Sequence, residues 1–212
     1  MRRLPVYLLL DTSGSMRGEP IEAVKVGLQN LITALRQDPF ALDAVHISII
    51  TFDREVKNIL PLTELMSLQL PPIVTPESGP TFLGRALEML CQCYDREVIA
   101  NQPDVKGDWK PLLFIMTDGS PSDIMDYRAI IPQVKRRTFG SIVACAAGPK
   151  AVDSYLKELT DSVVHLDSMD SHTFSQFFKW VSEAVSSGNK SMGTTQETNA
   201  LPPPPPEVQV VV

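Results

Sequence analysis

The stretch Val6-Tyr7-Leu8-Leu9-Leu10-Asp11-Thr12-Ser13-Gly14-Ser15-Met16 decides how the rest of the chain reads. Its first five residues are apolar on both alternating sets of positions, the mark of a central parallel strand covered by helices on both faces. Asp11 stops the apolar run before it reaches the length of a signal-peptide core, so the segment is a first strand and not a leader. The residues that follow form a D-x-S-x-S loop, in which alternate polar side chains can turn toward one point.

Working outward, His46–Phe52, Leu112–Met116, Ile142–Ala147 and Val163–Leu166 repeat the doubly apolar pattern. Between them lie segments of helical period. Ile21, Val24, Leu28, Leu31, Ile32 and Leu35 share one helix face, entered by Pro20 at a first-turn position. Leu83, Ala86, Leu87, Leu90 and Tyr94 form another such face, and Phe174, Phe177, Phe178, Val181 and Val185 a third. Weaker helices are expected over Asp126–Arg137 and Ala151–Leu159. The alternation predicts an α/β fold, a doubly wound and mostly parallel sheet with helices on both faces. Val56–Leu60 follows its predecessor too closely for a crossover, so it is expected to pair antiparallel at an edge, where Glu55 and Lys57 are suitable residues.

One domain over 4–187 accounts for this pattern. From 188 to 212 the composition turns to Ser, Gly, Asn, Thr and Gln, then Pro202–Pro206, then Glu207-Val208-Gln209-Val210-Val211-Val212. The reading is a flexible linker, a polyproline II segment and, for the last six residues, a frayed terminus in preference to a docking peptide that adds a strand to another protein. Deleting such a tail should leave thermal stability nearly unchanged.

The chain has 212 residues, a net charge of −6 and a pI of about 5.1, so there is no basic field for nucleic acid or anionic lipid. No run reaches the ~20 apolar residues of a membrane span. Cys91, Cys93 and Cys145 cannot all pair and make no metal knuckle; reduced thiols imply the cytoplasm. Cys91 and Cys93 would point to different faces of one helix. His46, His165 and His172 fall on predicted strands and a helix start.

Ligands of open α/β sheets bind beyond the carboxyl ends of the strands, where strand order reverses. Three loops at that edge carry oxygen donors: Asp11–Met16, Ser78-Gly79-Pro80-Thr81, and Thr117-Asp118-Gly119-Ser120-Pro121-Ser122-Asp123. They offer two carboxylates and three hydroxyls with no imidazole or thiolate, a set that suits Mg²⁺ or Mn²⁺ and excludes a structural zinc site. Thr81 reads either as a donor to the ion or as a helix N-cap, roles that are compatible. Asp53 and Asp123 are nearby acids that read as surface turn residues in preference to supports behind the metal donors.

At these residues the sequence resembles a von Willebrand factor A domain, whose metal-ion-dependent adhesion site combines D-x-S-x-S with a later Thr and a later Asp. The resemblance covers about residues 4–187 and implies metal donors at Asp11, Ser13, Ser15, Thr81 and Asp118. It also implies a protein partner that offers an acidic side chain to the ion. The start of the chain and Thr117–Asp123 further resemble the bacterial tellurium-resistance Y-type (TerY-like) proteins, which implies a stress-response setting and kinase or phosphatase partners.

No catalytic residue is expected. Phosphatases of the haloacid-dehalogenase type, the strongest enzyme alternative, need an acid where Ser13 stands and a phosphate-binding Lys. A serine hydrolase needs a histidine at the site, and no P-loop or G-x-G-x-x-G follows a strand. A scaffold with a purely structural metal would share every motif.

Overall fold

All eight residues of β1, Leu4–Asp11, are buried. Alternation sends their side chains to two different cores. Leu4, Val6, Leu8 and Leu10 join a cluster with α1 (Glu19–Gln37), α2 (Pro39–Ala44) and α6 (Ser171–Ser191). Tyr7 and Leu9 join a second cluster with α3 (Leu83–Glu97), α4 (Ile124–Arg136) and α5 (Asp153–Leu159). This is the three-layer arrangement that doubly apolar strands require. The computed structural model describes residues 2–191 and 201–211.

The other strands are β2 (Val45–Phe52), β3 (Val56–Glu64), β4 (Leu112–Thr117), β5 (Ser141–Ala147), β6 (Val163–Leu166) and β7 (Gln209–Val210). Among the described residues they form one sheet in the order β3-β2-β1-β4-β5-β6-β7. β1 pairs in parallel with both β2 and β4, so the strand order reverses between β1 and β4. β3 pairs antiparallel with β2, as its short connection demanded. α1, α2 and α6 cover one face of the sheet and the three successive crossover helices α3, α4 and α5 the other, which completes the doubly wound α/β fold.

α1 and α6 pack together through Gly27, where an added Cβ would lie 2.1 Å from the Phe178 ring. Periodicity did not foresee α2, whose six residues are too few to show it. Pro39 at its first turn and Asp38, which accepts from the Phe40 and Ala41 amides, specify it instead. Residues 65–82 form no helix or strand, yet Leu65, Leu68 and Ile73 are buried. Arg36 of α1 holds this segment by donating to the carbonyls of Leu65 at 2.9 Å and Leu68 at 2.6 Å. That fastening delivers Thr81 to the carboxyl edge of the sheet.

The frayed terminus expected after the prolines is corrected by the structure over residues 201–211. β7 pairs antiparallel with β6, Val164 opposite Val210 and His165 opposite Gln209, and forms a second antiparallel edge. Val208 is 2% exposed within the α1–α6 core. The physical reason is that β6 would otherwise present an unpaired row of backbone groups, while Val208 packs into the α1–α6 core and Val211 against the opposite one, leaving Val210 exposed. Of the expected linker, residues 192–200 lie outside the described residues, as does Val212. Among the described residues no helix is long and apolar enough to cross a membrane.

Candidate metal centre

Because β1 and β4 are neighbours in parallel register, Leu10 opposite Met116, the loops that follow them emerge side by side at the strand reversal. Asp11 ends β1 and is 1% exposed. Its Oδ1 accepts from the Ser13 amide at 2.8 Å, and its Oδ2 accepts from the Thr117 hydroxyl at 2.6 Å. A short 3₁₀ turn over Gly14–Met16, anchored by fully buried Met16, carries Ser15 outward. Ser13 Oγ and Ser15 Oγ lie 3.1 Å apart, and Ser15 Oγ donates to Asp118 Oδ1 at 2.9 Å. Four of the five predicted donors therefore form one hydrogen-bonded chain.

Thr81, the fifth, reaches the same edge from the loop before α3. Its amide donates to Ser122 Oγ at 2.9 Å, and its carbonyl accepts from the Ser122 amide at 2.8 Å. Its Oγ1 lies 3.8 Å from the point where a Cβ on Gly119 would sit, which places the hydroxyl beside the Asp118 loop. Thr81 does not cap α3. That task falls to Asp123, whose carboxylate accepts from the amides of Gly84 at 3.1 Å and Arg85 at 2.9 Å. Thr81 Oγ1, on a residue only 7% exposed, is left with no hydrogen bond among the described residues.

Gly14 is where the first and second loops touch. A Cβ there would meet the Ser78 Cα at 2.7 Å and the Glu77 carbonyl at 3.2 Å, so any larger residue would push the loops apart. Asp53 takes the less favoured of its two sequence readings, a brace behind the site: its Oδ2 accepts from the Thr12 hydroxyl at 2.8 Å, and its carbonyl accepts from the Phe82 amide at 3.2 Å. Asp123 likewise is more than a turn residue.

Two contributors escaped sequence reasoning. Thr117 and Thr12 were quoted within the loops but given no role, although each orients an acid. The available signal was position: Thr117 ends β4 as Asp11 ends the adjacent β1, so their side chains share one sheet edge.

Burial dominates the electrostatics. It pushes the Asp11 carboxyl up to about 6; the Thr117 and Ser13 hydrogen bonds oppose the shift, and the charge of Asp118 adds to it. Burial also raises Asp118, against the hydrogen bond from Ser15. Two desolvated carboxylates beside an unpartnered hydroxyl are poorly compensated by protein groups alone. A divalent cation fits this donor set. No group of three or more His, Cys, Asp and Glu side chains gathers anywhere among the described residues.

The histidines stand elsewhere. His165 Nδ1 is 2.9 Å from Asp153 Oδ1, His46 Nδ1 is 3.1 Å from the Ala44 carbonyl, and His172 Nε2 is 3.6 Å from Glu207. Cys91, Cys93 and Cys145 are buried free thiols.

Residues 6–180 match the von Willebrand factor type A domain family. The chain belongs to this family. Solved structures agree at the level of the VWA fold. Proximal thread matrix protein 1 from the mussel byssus, with a zinc-occupied MIDAS motif, is 17% identical with a TM-score of 0.65, covering 86% of this chain and 48% of that one. A von Willebrand factor type A protein from Catenulispora acidiphila is 16% identical, TM-score 0.63, over 87% of this chain and 43% of its own. BatB from Bacteroides thetaiotaomicron is 16% identical, TM-score 0.54, over 89% of this chain and 100% of its own. This VWA chain thus spans about half the length of the mussel protein it matches. A search of curated proteins gave no match.

Proposed function

We propose that this VWA domain binds Mg²⁺ or Mn²⁺ through Asp11, Ser13, Ser15, Thr81 and Asp118, and uses the ion to hold an acidic side chain of a partner protein. The observation that carries the reading is the meeting of two buried carboxylates with the Ser13 and Ser15 hydroxyls and the unpartnered Thr81 Oγ1 at one sheet edge. Hard oxygen donors favour these ions. The zinc in the mussel protein belongs to that relative, and supports metal binding by a motif of this kind.

Charge supports the step from metal to partner. Asp11 and Asp118 neutralise a divalent ion without exceeding it, so the ion still attracts a carboxylate. Ser15 is exposed while Asp11, Ser13 and Thr81 are buried, so one side of the site faces solvent. That openness favours recognition over a metal that only holds the fold together. Binding without turnover is supported by Ser13 at the position where a phosphatase would place its acid, and by histidines whose partners lie away from the site hydroxyls.

A cytoplasmic setting, a bacterial tellurium or stress response, and kinase or phosphatase partners complete the proposal, on the resemblance of the two motif loops. The decisive experiment captures partners on the full chain with and without EDTA. Association should vanish with EDTA, return with Mg²⁺, and fail when one partner carboxylate becomes an amide. A partner that binds Asp118→Ala as well as wild type would overturn the reading.

A further inference from the structure

Residues 201–211 lie against the domain as a ligand lies in a groove. The indole Nε1 of Trp180, on α6, donates to the Pro202 carbonyl at 2.9 Å. Along the proline run Pro202 and Pro205 are half-buried while Pro203 and Pro206 are exposed, a period of three residues that matches a polyproline II turn. An aromatic side chain that offers an N–H to a proline segment is a recurrent mode of proline-rich recognition.

After the prolines the segment becomes a strand. Val208 enters the core, the Val211 amide donates to the Val163 carbonyl at 2.9 Å, and the Gln209 side chain donates to Asp167 at 2.7 Å. Glu207 faces His172 at 3.6 Å. The contacts thus read four features in order: a proline carbonyl, an acid, a buried valine and an extended backbone.

The covalent tie is long enough to leave these contacts unstrained. From Trp180 to Ser191 the helix advances roughly 16 Å, whereas the ten peptide steps from Ser191 to Leu201 can span up to about 33 Å. The segment is held by its own bonds, with chain length to spare.

We propose that the groove between α6 and the outer edge of β6 is a second binding site, separate from the metal centre, for a proline-rich segment that ends in a short strand and buries one valine, and that its ligand in trans is residues 201–211 of a second copy. The second copy is the occupant because this sequence complements the groove at each contact named above. Exchange of an identical element between protomers creates no contact that the monomer lacks, so it is an inexpensive route to a dimer. In cis the segment competes at an effective concentration on the order of millimolar, so exchange requires crowded copies or a disabled cis segment.

The test uses the full chain carrying Val208→Asp, which expels its own segment, and a fluorescent peptide of residues 201–212. The variant should bind the peptide 1:1, and the wild-type chain should bind it at least about 10-fold more weakly because its own segment competes. EDTA should change neither value. A peptide carrying Val208→Asp should not bind. Failure of the variant to bind the wild-type peptide, equal binding by both chains, or loss with EDTA would each overturn the site. If circular dichroism shows Val208→Asp to be misfolded, Val211→Pro removes one edge hydrogen bond at the surface and answers the same question. Gel filtration at millimolar wild-type chain should show a dimer that the variant lacks; a wild-type monomer there would overturn the second copy as ligand.

Discussion

Ser15 Oγ donates a hydrogen bond to Asp118 Oδ1 across 103 positions of sequence, and so joins the loop after β1 to the loop after β4. The bond pre-positions an exposed hydroxyl against a buried carboxylate. Behind it, Thr117 fixes the deeper acid, Asp11. The two acids are thus oriented by different hydroxyls, and the two hydroxyls can be removed separately.

Thr117→Val keeps the side-chain shape and deletes the hydrogen bond that orients Asp11. Metal affinity should fall by roughly 10–100-fold, the usual effect of removing a group that orients a metal donor. Asp11→Ala and Asp118→Ala should weaken it further with the fold retained. Calorimetric titration of Mg²⁺ or Mn²⁺ into each variant measures this, and equal affinities for wild type and both acid variants would remove the site.

Protons should compete with the ion at Asp11. Its folded-state pKa is raised to about 6, above the unfolded carboxyl near 3.8. In the metal-free protein this group therefore favours folding most below the unfolded value, and its contribution is lost as pH rises toward 6. Metal binding runs the opposite way, because the ion requires the carboxylate. Affinity should be flat above pH 7 and fall below 6, with protons released on binding at pH 5.5. Titrations in two buffers of different ionisation enthalpy detect that release; a pH-independent affinity would contradict it.

Gly14→Ala would set a Cβ at 2.7 Å from the Ser78 backbone, so one loop must move. Overpacking of this kind costs about 1–3 kcal/mol. Because the displaced loop leads to Thr81, metal affinity should fall along with the melting temperature. A melting curve and a metal titration on the same sample check both at once.

Truncation after Ser191 should destabilise the domain, contrary to what the proline-rich composition implies. Burial of one valine is worth about 1.5 kcal/mol or more, and each net hydrogen bond about 1 kcal/mol. A loss of about 2–4 kcal/mol corresponds to a fall of roughly 5–15 °C for a domain of this size. An unchanged melting temperature would show that residues 201–211 contribute no net stability.

The sheet and its crossovers were legible because β1, β2, β4, β5 and β6 are apolar on both faces, a pattern that helices do not share. Asp11, Ser13, Ser15 and Asp118 were legible because loop chemistry at a strand reversal is local to each strand end. Three things were not. α2 is shorter than two helical turns, so its boundary residues Asp38 and Pro39 carry the signal in place of periodicity. Thr81 could not be separated from an N-cap until Asp123, some forty residues later, was seen to hold the α3 amides. The terminal strand was misread because composition describes a segment by itself, whereas Val208 and Val211 are ordered by an edge that only the folded sheet presents.

The placement of Asp11 at the end of β1 and Asp118 just after the neighbouring β4 has a consequence for quality control. In the chain α1, α2, β2, β3 and α3 lie between them, so the two acids meet only once β4 has been brought back beside β1. A nascent or damaged chain can carry both acids and still offer no common point for an ion. Under the proposed function, a partner that docks through the ion would therefore engage only copies in which β4 has paired with β1, and leave others unbound.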